Sequence, residues 1–99
     1  MARVDLHAKA ALEAEASALW YEQQSPGLGE EFLGELASAI RAIRESPDRW
    51  FRTSGGERRY LLHRFPFAVI YRHRSGDIFI LAIAHVRRRP GYWKDRVRD

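Results

Sequence analysis

Ten arginines and one lysine lie in residues 58–99, against three acidic groups, for a net charge of +8. Arginine pairs with phosphate or carboxylate in a bidentate fork and stays charged at any physiological pH. Most of Arg58, Arg59, Arg64, Arg72, Arg74, Arg96 and Arg98 read as a solvated face. Arg87, Arg88 and Arg89 are consecutive, and such a cluster repels itself unless an anion or an acidic partner stands opposite. His85 lies just ahead of them. Histidine titrates near neutral pH and can serve as a general acid or base, for example on an RNA 2′-OH or a leaving oxygen. It can equally hydrogen-bond the backbone and order the segment after it. Tyr71, Tyr92 and Trp93 can stack on bases or anchor the tail to the domain.

Other chemistries are absent. There is no cysteine, which removes thiol catalysis, disulfides and Cys-based zinc sites. His7, His63 and His73 have no metal-ligand spacing with carboxylates, so no metal is expected. Gly55-Gly56 lacks the context of a phosphate-cradling loop. No Ser/His/Asp arrangement can be read from spacing. No cofactor is expected.

Residues 1–57 carry 6 basic and 10 acidic groups, net −4. The overall +4 thus conceals an acidic half and a basic half, and the asymmetry points to a polyanion or an acidic protein segment as partner. With 99 residues and 45% hydrophobic content, residues 1–99 are read as one domain with one core. The N-terminal stretch has no apolar core of signal-peptide type, and no apolar run is long enough to span a bilayer. The expectation is a cytoplasmic protein without membrane contact.

The elements that must position the basic groups follow from periodicity. Val4 and Leu6 alternate with polar neighbours, which permits a short edge strand over residues 2–6. Ala8, Leu12, Ala16, Leu19 and Trp20 recur at helical spacing, giving a helix from Ala8 to Gln24 with Glu13 on another face. Ser25-Pro26-Gly27 stops it. A second helix starts near Gly29 and carries the stripe Phe32, Leu33, Leu36, Ala37, Ile40 and Ile43, with Glu30 and Glu31 in its first turn. Ser46-Pro47 ends it. The short link makes the two helices an antiparallel hairpin. Residues 48–57 are irregular. Three strands follow, at 59–64, 67–74 and 78–86, in antiparallel order. In the last, Phe79, Leu81, Ile83 and His85 share one face; Ile78, Ile80, Ala82 and Ala84 share the other. The sheet must bury a face, and the helices offer the only large apolar stripe. The predicted fold is therefore α+β: an N-terminal antiparallel helical hairpin on one face of a small antiparallel sheet, with the arginines on the opposite face or at a groove on its edge.

These residues also carry a resemblance. Trp20-Tyr21-Glu22-Gln23-Gln24, then Gly27-Leu28-Gly29 and Phe32-Leu33, resemble a segment of the RelE/ParE toxins of bacterial type II toxin–antitoxin modules. Ser46-Pro47, Arg58-Arg59, Arg64-Phe65-Pro66-Phe67 and Ile70-Tyr71 follow in the family's order. The chain closes with Ala84-His85-Val86-Arg87-Arg88-Arg89-Pro90-Gly91-Tyr92-Trp93 and Arg96, similar to the family's ending and closer to its ParE-like branch. The resemblance covers nearly the whole chain. It implies a growth-inhibiting toxin neutralised by a cognate antitoxin, whose acidic, partly disordered segment lies along the toxin surface. The ParE-like branch acts on DNA gyrase without being a nuclease, and Arg87, Arg88, Arg89, Trp93 and Arg96 are then the expected partner-binding residues. The RelE-like branch instead cuts mRNA on the ribosome. In that alternative, Arg59, Arg64, His85 and Tyr92 form the expected catalytic set, because Lys9 and Lys94 are the only lysines.

Overall fold

The computed structural model describes residues 2–98. The chain runs β1 (Val4–Leu6), α1 (Ala8–Gln24), α2 (Leu28–Glu45), β2 (Phe51–Arg52), β3 (Arg58–Leu61), β4 (Phe67–Arg74), β5 (Asp77–His85) and a terminal 3₁₀ helix (Lys94–Arg98). The strands form one sheet in the order β1-β5-β4-β3-β2. The helical hairpin covers one face of it. The fold is α+β, as the periodicity predicts.

The sheet is mixed rather than wholly antiparallel: β1 runs parallel to β5, with Val4 opposite Ile78 and Leu6 opposite Ile80. Short links force antiparallel pairing only between strands they join. β1 is separated from β5 by both helices and three strands, so no turn constrains its direction. Within residues 48–57, Phe51 and Arg52 add a two-residue strand that pairs with Arg59 and Arg58.

Helix α1 buries a different face from the one its large residues suggest. Ala10, Ala14 and Ala18 are buried, whereas Leu12, Leu19 and Trp20 are 62%, 59% and 56% exposed. Alanines at i, i+4 and i+8 let two backbones approach closely. Gly29, at the start of α2, completes that approach: a Cβ there would lie 2.5 Å from the Ala18 carbonyl oxygen. Helix α2 buries Phe32, Leu36, Ala39 and Ile43, while Leu33 is exposed and Ile40 is only partly buried against the core. Tyr21, Phe32, Phe65 and Phe67 form an aromatic cluster between hairpin and sheet, with centroids 4.8–5.4 Å apart for Tyr21–Phe65, Phe32–Phe67, Phe32–Phe65 and Tyr21–Phe32.

Several carboxylates of the acidic half are tied to backbone. Glu22 accepts from the N–H groups of Gly27 and Gly29 at 2.9–3.1 Å, capping α2 where Gly27 (φ 88°) has no side chain to do so. Glu35 accepts from the N–H groups of His63 and Arg64 and fixes the turn before β4. On the loop after α2, Asp48 bonds His73 Nδ1 at 2.8 Å, which holds its carboxyl below the usual range. Arg58 donates to the carbonyls of Asp48 and Trp50, and the Tyr71 hydroxyl donates to that of Pro47 at 2.5 Å.

Strand β5 does not keep its alternation. Ile70 pairs with Ala82 and Tyr71 with Ile80, so Leu81 is an extra residue in a β-bulge. Ile78, Ile80 and Ile83 face the helices, while Leu81, Ala82 and Ala84 pack with Trp93 on the far side. One added residue moves every later side chain to the opposite face, so strict period-2 counting misplaces residues on one side of it.

Candidate functional site

The far face of the sheet carries a cleft of about 310 Å³. Its floor comes from cross-strand pairs that share this face: Leu61 opposite Ala68, and Ala68 in turn opposite Ala84, with Ile70 beside them. Its walls are the end of β5 at His85 with the segment that follows, as far as Lys94, and the Thr53–Glu57 turn. That turn is closed by Thr53 N–H to the Glu57 carbonyl at 2.7 Å and by Gly56, whose φ of 98° suits glycine.

Of the residues singled out from sequence, Arg59, His85, Arg88, Arg89, Tyr92 and Trp93 all line this cleft. Arg59 leans over the Phe51 ring at 5.2 Å. His85 is half-buried, and its ring packs edge-on against Phe67 at 5.0 Å. Its Nδ1 accepts from the Arg87 N–H at 3.1 Å, which leaves Nε2 to carry the proton in the neutral ring. Arg88 stacks over Tyr92 at 3.8 Å. Arg87 is exposed but does not line the cleft. Arg64 lies in the link between β3 and β4, bonded to Glu31 at 2.8 Å, and does not line the cleft with the other three members of the nuclease set.

Arg96 is placed differently from its expected surface role. It is buried, and its guanidinium forms a fork with Glu13 at 2.8 and 2.9 Å while also donating to the Leu81 carbonyl at 2.9 Å. Both of its terminal nitrogens are engaged within the chain. Trp93 is likewise buried, packed on the far face. Both pack the tail against the domain, and Trp93 also lines the cleft.

Glu13, which periodicity does not single out, holds the tail that walls the cleft without lining it. Besides Arg96 it accepts from the Tyr92 hydroxyl at 2.8 Å and from the Ile83 N–H at 3.0 Å. Leu81 O and Ile83 N are backbone groups at the bulge, beyond the end of β1 pairing at Ile80. The ion pair therefore satisfies an open stretch of the β5 edge. Burial alone would raise the Glu13 pKa, but the bonds from Arg96, Tyr92 and Ile83 outweigh it and hold the carboxyl below its usual value. The same bond, added to burial, pushes Tyr92 up to about 12. In sequence, the available signal was an acid bordering an alanine face, in a chain whose tail carries an arginine and a tyrosine.

Among the described residues no cluster of His, Asp or Glu could hold a metal ion, and no helix is long and apolar enough to cross a membrane. The family model described as "ParE toxin of type II toxin-antitoxin system, parDE" matches residues 4–90. No curated protein matches the chain. A solved chain described as "Chromosomal ParDE TA system from P. aeruginosa" superposes with a TM-score of 0.77 at 22% identity, covering 86% of this chain and 96% of that one. At that identity the likeness is one of fold.

Proposed function

The chain belongs to the ParE toxin family of type II toxin–antitoxin systems, and from that premise we propose that it inhibits bacterial growth by binding DNA gyrase in the cytoplasm and is silenced by a cognate antitoxin. The observation that carries this reading is the state of the polar groups around the cleft. Arg59, Arg88, Arg89 and Lys94 surround an apolar floor, which suits protein contact. The groups a nuclease would need are dispersed or engaged. Arg64 is with Glu31, and the Tyr92 hydroxyl is committed to Glu13 with a pKa near 12.

The second reading, a ribosome-dependent mRNA endoribonuclease, rests on one observation: His85 borders the cleft that Arg59, Arg88 and Arg89 line, although its ring packs against Phe67 and also faces a groove with Trp20 and Tyr21 of α1. Two assays decide between them, ribosome-programmed mRNA cleavage and gyrase supercoiling, run on wild type, His85→Ala and the double variant Arg88→Ala/Arg89→Ala. Trp93→Ala is avoided because its ring is core. On the gyrase reading, wild type inhibits supercoiling, the arginine variant loses most of that effect, and His85→Ala keeps it. Wild-type cleavage of mRNA that His85→Ala lowers by ~10²–10⁴-fold, the usual contribution of a general acid or base, would establish the nuclease instead.

A further inference from the structure

Among the described residues, Glu57 is the one carboxylate that lines the far-face cleft. Alternation carries Glu57, Arg59 and Leu61 onto the same face of the sheet, where all three line it. Glu57 is 8% exposed, and among the described residues it is in no ion pair. Carboxylates seldom occupy such a position. The turn before β3 is shaped around this group. The Thr53 hydroxyl donates to Oε1 at 3.2 Å, and the Gly56 N–H closes the turn on the Thr53 carbonyl at 3.1 Å. A Cβ at Gly55 would lie 2.7 Å from Oε1, so glycine there leaves the carboxylate its room. Oε2 has no hydrogen-bond partner among the described residues and keeps contact with solvent. A carboxylate accepts and cannot donate. A ligand that displaces solvent from Oε2 must therefore bring N–H or O–H donors of its own.

The rest of the cleft sets two further demands. Its floor of Leu61, Ala68, Ile70 and Ala84 is apolar and suits a flat ring. Its rim carries Arg59, Arg88, Arg89 and Lys94, all exposed and, among the described residues, in no ion pair. Such a rim suits phosphate. The volume of about 310 Å³ lies at the small end of ligand pockets, ~300–1,000 Å³. A flat ring with N–H donors on one edge and phosphate at the other end is a nucleotide. The bases differ in what they show a carboxylate. Guanine presents N1–H and its amino group side by side, and Oε1 keeps a second lone pair beside the Thr53 bond, so both donors are met. Adenine sets a lone pair beside its amino group, and that lone pair repels a carboxylate. Hypoxanthine keeps the ring N–H and lacks the amino group. A strand of nucleic acid needs ring faces for its neighbouring bases. Here Trp93 is buried, and the guanidinium groups of Arg88 and Arg96 lie over the Tyr92 ring at 3.8 and 5.1 Å. The cleft fits one base better than a run of them.

We propose that the far-face cleft binds a free guanine nucleotide. The base lies on the apolar floor and donates N1–H and its amino group to Glu57, while the phosphate meets the rim of Arg59, Arg88, Arg89 and Lys94. Thr53 and Gly55 are positioning residues that hold the Glu57 carboxylate in place. The site goes beyond the gyrase and antitoxin readings and depends on neither.

The probe is GMP, titrated into the full chain while backbone amide shifts are followed. Comparison ligands are IMP, AMP, guanosine, inorganic phosphate and a single-stranded RNA trinucleotide with guanine at its centre. The expected result is shifts confined to residues 53–61 and 84–94. Affinity should fall from GMP to IMP to AMP, by at least about tenfold across the series, because a polar group left unpaired in the slot is costly. Guanosine should bind at least about tenfold more weakly than GMP, and phosphate alone should leave residues 53–57 unshifted. Glu57→Gln should weaken GMP at least about tenfold and bring AMP level with it or ahead, since a glutamine amide offers adenine one donor and one acceptor. Arg88→Ala/Arg89→Ala should weaken GMP and AMP alike. Circular dichroism and the urea midpoint confirm that each variant is folded. No GMP binding at about 1 mM, equal affinities for GMP and AMP, a guanine preference that survives in Glu57→Gln, shifts centred outside the cleft, or tighter binding of the trinucleotide would overturn the proposal. Supercoiling and growth assays play no part in this test, so its failure leaves the toxin reading standing.

Discussion

Glu13 shows how much one side chain can organise. It joins α1 to the tail through Arg96 and Tyr92 and to the sheet through Ile83. Removing one member of a buried pair strands the other, so Glu13→Ala should lower stability by about 3 kcal/mol, the lower end of the range for such changes; urea unfolding measures this. Because the folded carboxyl titrates below its usual value, its contribution is present above the ordinary carboxylate range. It is lost as pH falls through the lowered pKa. The acid limb of the stability–pH curve should therefore flatten in Glu13→Ala. At the alkaline end the sign reverses. Tyr71 and Tyr92 are both raised from 10.0 to about 12, mainly by burial. The folded state holds those protons more tightly, so stability falls as pH climbs between about 10 and about 12. Tyrosinate absorbance and circular dichroism should change together in that window, and independent tyrosine titration in a folded chain would contradict it. Sequence reading could name Arg96 and Tyr92 as tail residues of note. It could not pair them with an acid some eighty positions away, since periodicity carries no information about long-range partners.

At the level of elements, both helices and the three long strands were legible, since Pro26, Gly27 and Pro47 punctuate a clear change of period. What failed was the choice of face on α1. Two stripes recur at helical spacing there, one of alanines and one of larger residues, and size favours the wrong one. The decisive constraint is the close crossing at Gly29, which needs small residues opposite. Gly29→Ala should accordingly cost about 1–3 kcal/mol, as overpacking does, because the atom its Cβ would meet is backbone. Ile43→Ala, at a fully buried position, should cost about 2–5 kcal/mol. Leu12→Ser should change stability by less than about 0.5 kcal/mol, the usual limit for an exposed site. Thermal or urea unfolding of the three variants orders them, and a large loss for Leu12→Ser would restore the stripe read from sequence. The bulge at Leu81 was also invisible, because its neighbours are apolar on both faces and no glycine marks it.

Across the whole molecule the charge split was readable by counting, and the fold turns it into geometry: the carboxylates of Glu13, Glu22 and Glu35 are bonded to backbone amides, while the cations lining the far-face cleft are exposed. On the proposed reading, antitoxin binding should weaken as salt rises from about 0.1 to 1 M, where the screening length shrinks from ~10 to ~3 Å. Calorimetric titration at both concentrations tests it, and equal affinities would assign the binding to apolar contact alone. The outer edge of β5 has a consequence of another kind. β1 covers it as far as Ile80, and the Glu13–Arg96 pair takes over at Leu81 and Ile83. Two distant parts of the chain thus guard one strand in relay. When either guard is lost, β5 offers a row of free amides and carbonyls flanked by isoleucines, a ready template for strand pairing between molecules. A variant that loosens the tail should therefore fail first by clumping with its own kind, well before the core between hairpin and sheet gives way.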